Sequence, residues 1–296
     1  MIKVIAADMD GTLLNDEHAL DQETYDAIKQ AIDRGMRFII ATGRNLNSVE
    51  ETLQGFDLPC DYVLASGAEI RDRKHRVLRR VGMPWETVER VLACLDSYHV
   101  VPNILSDEHH HCIGTREAVE ASLVQDMKLF HMTASDEKII NSELYQNMLK
   151  NLVLLPDVQA LKALQIPVYK ISLNSGDAGF LEEIRRELER IDDLAVASSF
   201  PFNIEITDVR AQKGPALKYF IEKQGYHMDE VMVLGDSMND YSMFTMPFGA
   251  TVAMGNSMPE ILKVAKYITR TNTEHGVAHA IRSVLQEPIL RTLRKA

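Results

Sequence analysis

The sequence predicts an α/β fold, a parallel sheet with crossover helices, interrupted by a large α+β insertion. Three observations carry this. Short apolar runs alternate with amphipathic stretches near the start of the chain. The same alternation returns near its end. Between them, from about Pro84 to Thr207, long helical stretches dominate and strand candidates stand alone.

The elements follow in order. Ile2 to Ala7 is short and apolar apart from Lys3, and reads as a buried strand. Asp21 can cap a helix whose apolar positions include Tyr25, Ile28 and Ile32, and Gly35 ends it. Met36 to Ala41 is a second buried strand, Leu46 to Leu53 a second helix and Tyr62 to Ala65 a third strand. That succession is the pattern of a parallel sheet with helical crossovers. The run from Arg71 to Arg76 mixes acid with base and reads as a solvated hairpin. Within the insertion, helices are predicted over Trp85 to Tyr98, Glu117 to Leu129 and Gly179 to Ile191. Strands are predicted at Val168 to Leu173 and Phe202 to Ile206. Gly214 and Pro215 then open a helix through Ala216, Leu217, Phe220 and Ile221, which Gly225 stops. Val231 to Leu234 is a buried strand, and Ala250 to Met254 and Tyr267 to Thr269 are short ones. Pro259 suits the first turn of a helix reaching about Ala265. The expected division is residues 1–83 with 208–296 for the sheet and 84–207 for the insertion.

Composition narrows the function. The chain has 296 residues, enough for two domains of ordinary size. A formal net charge of −11 leaves no electrostatic footprint for nucleic acid and suits anionic membranes poorly. Cys60, Cys94 and Cys112 form no CxxC pair, which fits a reducing compartment better than a disulfide framework. Met1 to Ala7 runs straight into Asp8 without a signal-peptide pattern, and no apolar run approaches the roughly 18 residues of a membrane span. The expectation is a cytoplasmic protein.

Four motifs stand just after predicted strands, where open parallel sheets bind ligands. Asp8-Met9-Asp10-Gly11-Thr12-Leu13 brackets one residue with two carboxylates, then places a glycine for a sharp turn. Its chemistry suits Asp8 as nucleophile and Asp10 as general acid and base. Thr42-Gly43-Arg44 offers a hydroxyl and adjacent backbone N–H groups at a strand-to-helix turn, a natural anion site. Lys213, read alone, is a surface lysine. In Gly235-Asp236-Ser237-Met238-Asn239-Asp240, two carboxylates four residues apart suit a hard cation, although a plain helix cap fits equally well. Their fixed order and complementary chemistry are hard to ascribe to chance. The run His109-His110-His111-Cys112 lacks the spacing of a zinc site and reads as a polar loop or strand end.

The stretches DMDGTLL, ATGR, QKG and GDSMND, with the tail AMGNSMPEILKVAKYIT, resemble the haloacid dehalogenase-like hydrolases, in their Cof-like phosphatase branch (subfamily IIB). The resemblance implies a Rossmann-like core with an α+β cap inserted, and a phosphatase of small phosphorylated metabolites. Carried over by position, Asp8 attacks phosphorus and Asp10 protonates the leaving oxygen, then activates water. Mg²⁺ is held by Asp8, the Asp10 backbone carbonyl and Asp236, with Asp240 as an auxiliary ligand. Thr42, Gly43 and Lys213 take the phosphoryl oxygens, and Asn239 contacts the phosphate or orients Lys213. Arg44 and Glu69 are candidates to face the substrate. Three positions depart from the family pattern: Ser66-Gly67-Ala68, Arg210 and His275-Gly276.

Charge gives an independent reason to expect a cation. Two unit charges about 4 Å apart repel by roughly 4 kcal/mol at an effective dielectric near 20, and several carboxylates would face a phosphate dianion. Mg²⁺ and Lys213 reverse that balance. Crowding by other carboxylates is expected to raise the pKa of Asp10. A phosphomutase using the same aspartyl-phosphate, or a binding module that kept the fold, are the alternatives.

Overall fold

A computed structural model describes residues 1–106, 109–131, 134–286 and 293–295. In chain order, the first segment holds β1 (Val4–Ala7), α1 (Gln22–Asp33), β2 (Arg37–Ala41), α2 (Leu46–Thr52), β3 (Asp61–Leu64), β4 (Glu69–Arg71) and β5 (Val77–Arg80). The insertion holds α3 (Trp85–Asp96), β6 (Asn103–Leu105), β7 (His110–Ile113), α4 (Arg116–His131), α5 (Asp136–Ile140), α6 (Glu143–Lys150), β8 (Leu152–Leu155), α7 (Val158–Ala163), β9 (Lys170–Asn174), α8 (Ala178–Leu188), β10 (Leu194–Ala197) and β11 (Asn203–Asp208). The return segment holds α9 (Lys213–Lys223), β12 (Val231–Gly235), α10 (Tyr241–Phe244), β13 (Ala250–Ala253), α11 (Pro259–Val264), β14 (Tyr267–Ile268), α12 (Gly276–Leu285) and β15 (Arg294–Lys295). Two compact units result, one of residues 1–80 with 210–296, the other of residues 81–209.

The first unit is a nine-stranded sheet in the order β15-β14-β13-β12-β1-β2-β3-β4-β5. Its six central strands, β14 to β3, run parallel, and antiparallel strands close both edges. Side chains of β1 alternate between two cores. Ile5 and Ala7 pack with α1 and α12, whereas Val4 and Ala6 pack with α9. Burial on both faces explains why the parallel strands read as continuous apolar runs. Helix α1 starts where Asp21 accepts a hydrogen bond from the Thr24 N–H, as its sequence signal predicts.

Strand order decides where chemistry can occur. From β1 the chain winds outward through β2 and β3, and on its return it winds the other way through β12, β13 and β14. The two halves diverge between β1 and β12, whose carboxyl ends open a crevice for ligands. Parallel register pairs Ala7 with both Leu234 and Ile40, so the loops after β1, β2 and β12 leave the sheet at nearly one level.

The second unit is a six-stranded sheet in the order β10-β11-β9-β6-β7-β8. Ile104, Ile171, Leu173, Ile204 and Ile206 form an apolar face with α3 and α8. Val124 and Met127 of α4 share a separate small core with Ile139 and Tyr145. The hairpin expected at 71–76 is present as the β4–β5 turn, where Asp72 accepts from the N–H groups of Lys74 and Arg76. The basic run is less solvated than its composition implies, because Arg71 and Asp72 are buried.

Candidate active site

The first loop is held against β12 from its first residue. The Asp8 N–H donates to the Leu234 carbonyl at 3.0 Å, so Asp8 continues the strand register. The chain then turns at Gly11 with φ +75°, where a Cβ would stand 2.6 Å from Asp236 Oδ2. Only glycine satisfies both the left-handed backbone and this approach. Next to it, the Thr12 hydroxyl donates to Asp236 Oδ1 at 2.7 Å.

The fourth loop is organised by Asp240. Its Oδ2 accepts from the N–H groups of Asp236 (3.0 Å) and Ser237 (3.2 Å), capping a short turn over Met238–Asp240. Its Oδ1 accepts from Lys213 Nζ at 2.7 Å. Lys213 opens α9 and also donates to Asp8 Oδ1 (2.6 Å) and Asn239 Oδ1 (3.1 Å). The lysine that alone read as a surface residue is fully buried, as is Asp240. Cap and cluster are one structure here.

Asp8, Asp236 and Asp240 offer carboxylate oxygens within 4.8 Å of one another. Burial and the Asp240 charge push Asp8 well above the ordinary carboxylate range despite Lys213. Burial and Asp240 also push Asp236 up, to about 7. Burial would lower Lys213, but Asp240 and Asp8 outweigh it and hold the ammonium charged. Among the described residues this is the one group of acidic, cysteine or histidine side chains able to hold a metal ion. Its donors are all oxygen, as Mg²⁺ and Ca²⁺ require. The free positions belong to Asp8 and Asp236, since both Asp240 oxygens are engaged. That favours an auxiliary place for Asp240.

Asp10 departs from expectation. Burial alone would raise its pKa, but His18, 3.8 Å away, and Arg44 hold it well below the ordinary range. Arg44 grips it with two bonds, Nε to Oδ2 at 2.8 Å and Nη2 to Oδ1 at 2.5 Å. Crowding therefore raises Asp8 and Asp236, not Asp10, because a guanidinium stands beside Asp10. Arg44 also donates from Nη1 to the Thr52 hydroxyl at 2.6 Å. Glu69 is likewise engaged, accepting from Arg71 Nε (2.5 Å) and Arg80 Nε (2.9 Å) in the β4–β5 hairpin.

Thr42 lies just beyond β2 and is buried; its hydroxyl accepts from the Arg44 N–H at 3.2 Å, and Gly43 stands between them. The loop after β3 packs beside it, with the Ser66 N–H donating to the Thr42 carbonyl at 3.0 Å. Ala65, Ser66 and Gly67 are all left-handed, at φ 48°, 58° and 108°. For the two non-glycine residues this costs about 1–2 kcal/mol each. A Cβ on Gly67 would meet the Gln212 carbonyl at 2.5 Å, so this loop abuts the residue before Lys213. Positive φ leaves little trace in Ala-Ser, and sequence reasoning missed this brace. It also assigned no role to Thr12 or His18. The histidine run is partly strand: His110 Nδ1 lies 2.7 Å from Asn103 Oδ1, and burial with Lys170 lowers its pKa to about 4.

The order of motifs and the buried Lys213 bridge raise the question of kinship, and residues 5–281 match the haloacid dehalogenase-like hydrolase family. The chain belongs to that family. It is 31% identical over 281 residues to the 5-amino-6-(5-phospho-D-ribitylamino)uracil phosphatase YcsE of Bacillus subtilis (strain 168), covering 95% of each chain. It is 29% identical over 284 residues to YwtE of the same strain, named for the same activity, covering 96% of this chain and 98% of that one. A solved haloacid dehalogenase-like hydrolase from B. subtilis superposes with a TM-score of 0.82 at 27% identity, covering 95% and 99% of the two chains. The fold is accordingly a Rossmann-like parallel-sheet core with an inserted α+β cap domain. No described helix is long and apolar enough to cross a membrane.

Proposed function

We propose that this protein is a Mg²⁺-dependent phosphatase that hydrolyses small phosphorylated metabolites through an aspartyl-phosphate on Asp8. One observation carries the reading: a fully buried lysine bridges Asp8 and Asp240, with Asp236 close to both.

Asp8 and Asp236 would hold the Mg²⁺ ion, with the Asp10 backbone carbonyl. Bound there, Mg²⁺ supplies positive charge that favours ionised carboxylates and neutralises the phosphoryl group. The chain's own residues do the rest. Lys213 holds Asp8 in place through Oδ1. An Asp8 oxygen bonds to phosphorus as the ester oxygen departs, and water later displaces the Asp8 carboxylate. Splitting the reaction this way replaces one difficult displacement by two easier ones. The Thr42 and Gly43 turn and the Lys213 ammonium offer donors to the phosphoryl oxygens, and Asn239 orients Lys213.

Asp10 is the acid–base group of this scheme. Its ion pair with Arg44 favours the ionised form, suited to taking a proton from water in the second step. For the first step it must carry a proton to the leaving oxygen, so Arg44 must loosen its grip when substrate binds.

The inserted unit, residues 84–207 by its sequence boundaries, is proposed to select the leaving group. The names of two relatives make a ribityl phosphate carrying a pyrimidine the first candidate substrate. The acidic chain and the acidic cluster favour neither nucleic acid nor a membrane surface as partner, and cytoplasmic residence is proposed.

A phosphate-release screen of the purified chain against phosphorylated metabolites, with Mg²⁺ and with chelator, tests the proposal. Mg²⁺-dependent release is expected, with a phosphorylated Asp8 peptide in quenched reactions. Brisk turnover after chelation, or by Asp8→Asn, would sink it. Isomerisation of a sugar phosphate without release of phosphate would favour the mutase.

A further inference from the structure

Three residues beyond the four motifs tie the two acidic loops together. In the loop after β13, the Asn256 side chain donates from Nδ2 to the Gly11 carbonyl at 2.8 Å. The next residue, Ser257, donates from its hydroxyl to the Gly235 carbonyl at 3.2 Å. The Met258 N–H donates to the Asp236 carbonyl at 2.8 Å. One short run thus grips the loop of Asp8 with its first residue and the loop of Asp236 with its next two. The run is itself anchored. The Asn272 N–H donates to Asn256 Oδ1 at 3.0 Å, and Asn272 Nδ2 reaches the Leu14 carbonyl at 3.0 Å and Asp16 Oδ1 at 3.1 Å. The Gly255 N–H donates to the Arg270 carbonyl at 2.9 Å.

We propose that Asn256-Ser257-Met258 is a staple that sets the separation of the Asp8 and Asp236 carboxylates and so the preference of the site for a small divalent ion. The inference rests on the Mg²⁺ reading above. Parallel neighbours β1 and β12 fix the roots of both loops, but the loops themselves extend beyond the ladder. Across that gap the Thr12 hydroxyl reaches Asp236 and Lys213 bridges Asp8 and Asp240, but these bonds hold carboxylates and not the backbone. The staple holds the backbone carbonyls of Gly11 and Asp236 in the two loops, and that of Gly235 at the end of β12, and so restrains the chain that carries the ligands. Mg²⁺ demands near-octahedral geometry at about 2.0–2.1 Å, whereas Ca²⁺ accepts irregular cages at about 2.3–2.6 Å. A slackened pair of loops therefore harms Mg²⁺ binding more than Ca²⁺ binding. None of the three residues touches the reacting atoms, and Asn256 is a positioning residue.

The test is ion-dependent thermal stabilisation of the full chain, titrated separately with Mg²⁺ and Ca²⁺, for wild type, Asn256→Ala and Asn256→Gln. Asn256 is exposed, so truncation leaves the core intact. Asn256→Ala should weaken Mg²⁺ binding by about tenfold, within the range for residues that orient metal ligands. Ca²⁺ binding should shift less, so the Mg²⁺ to Ca²⁺ preference falls. Asn256→Gln, which keeps an amide donor, should recover part of it. Equal weakening for both ions, or no change, would overturn the staple while leaving the Mg²⁺ reading intact. A wild-type chain stabilised by neither ion would overturn the Mg²⁺ reading, and the staple with it.

Discussion

Lys213→Met isolates the electrostatic centre of the site. Methionine keeps nearly the same length and apolar stem but removes the ammonium that lies 2.6 Å from Asp8 and 2.7 Å from Asp240. Those carboxylates offer oxygens within 4.8 Å of each other, in a buried setting. At an effective dielectric near 20, two unit charges at that distance repel by about 3.5 kcal/mol. The alternative, protonating one carboxyl at pH 7 against an ordinary pKa near 3.9, costs about 4 kcal/mol. Both routes give a loss of about 3–5 kcal/mol, the usual result of removing one partner from a buried ion pair. They also set the pH dependence. Burial and Asp240 already hold the Asp8 carboxyl above its unfolded value in the wild type, and loss of the ammonium raises it further, so between the two folded-state values the variant binds a proton that the wild type lacks. Stability from that proton is present at low pH and lost as pH rises. Urea unfolding in chelator at pH 7.5 and 5.5 should show the full deficit at the higher pH. The deficit should shrink at the lower one, by up to about 1.4 kcal/mol for each pH unit. A Lys213→Met protein as stable as wild type at both pH values would refute this account of the cluster.

Two further outcomes concern proton traffic. Replacing Arg44 by Gln removes the guanidinium that holds Asp10 low, so the Asp10 pKa should rise and the acid limb of the rate profile should move to higher pH; steady-state rates between pH 4 and 8 read this, and an unmoved limb would exclude Asp10 as the base. Asp236, raised to about 7 when the site holds no ion, must lose its proton to bind one. Mg²⁺ affinity should therefore fall as pH drops through 7, by up to about tenfold per pH unit for Asp236 and more steeply wherever the raised Asp8 carboxyl is also protonated; calorimetry in buffers of different ionisation enthalpy should also register proton release near pH 7.

Much of the site was legible because its signals are local. A strand of six apolar-rich residues, then Asp8-Met9-Asp10-Gly11, can be read without knowing what lies opposite. The caps at Asp21 and Ser237 are equally local: the sequence offers Asp236 or Ser237 for the second, and Ser237 takes it, with the Asp240 carboxylate accepting from its N–H three residues away. The insertion was harder. Helices α3, α4 and α8 announce themselves by length, whereas β7, with His110, His111 and Cys112, and β8, all apolar, carry no alternation to mark them. Short strands of that kind exist only because neighbours complete their ladders.

By itself the sequence determined the alternating apolar runs, the parallel sheet and the loops in which carboxylates and lysine stand, because each depends on residues close in the chain. Tertiary structure alone decided their pairing. Placing β12 beside β1 buries Lys213 between carboxylates 205 and 27 residues away, and the loop after β2 delivers Arg44 to Asp10. Long-range charge pairing sets which carboxylate is raised and which is held low, and no local pattern encodes it.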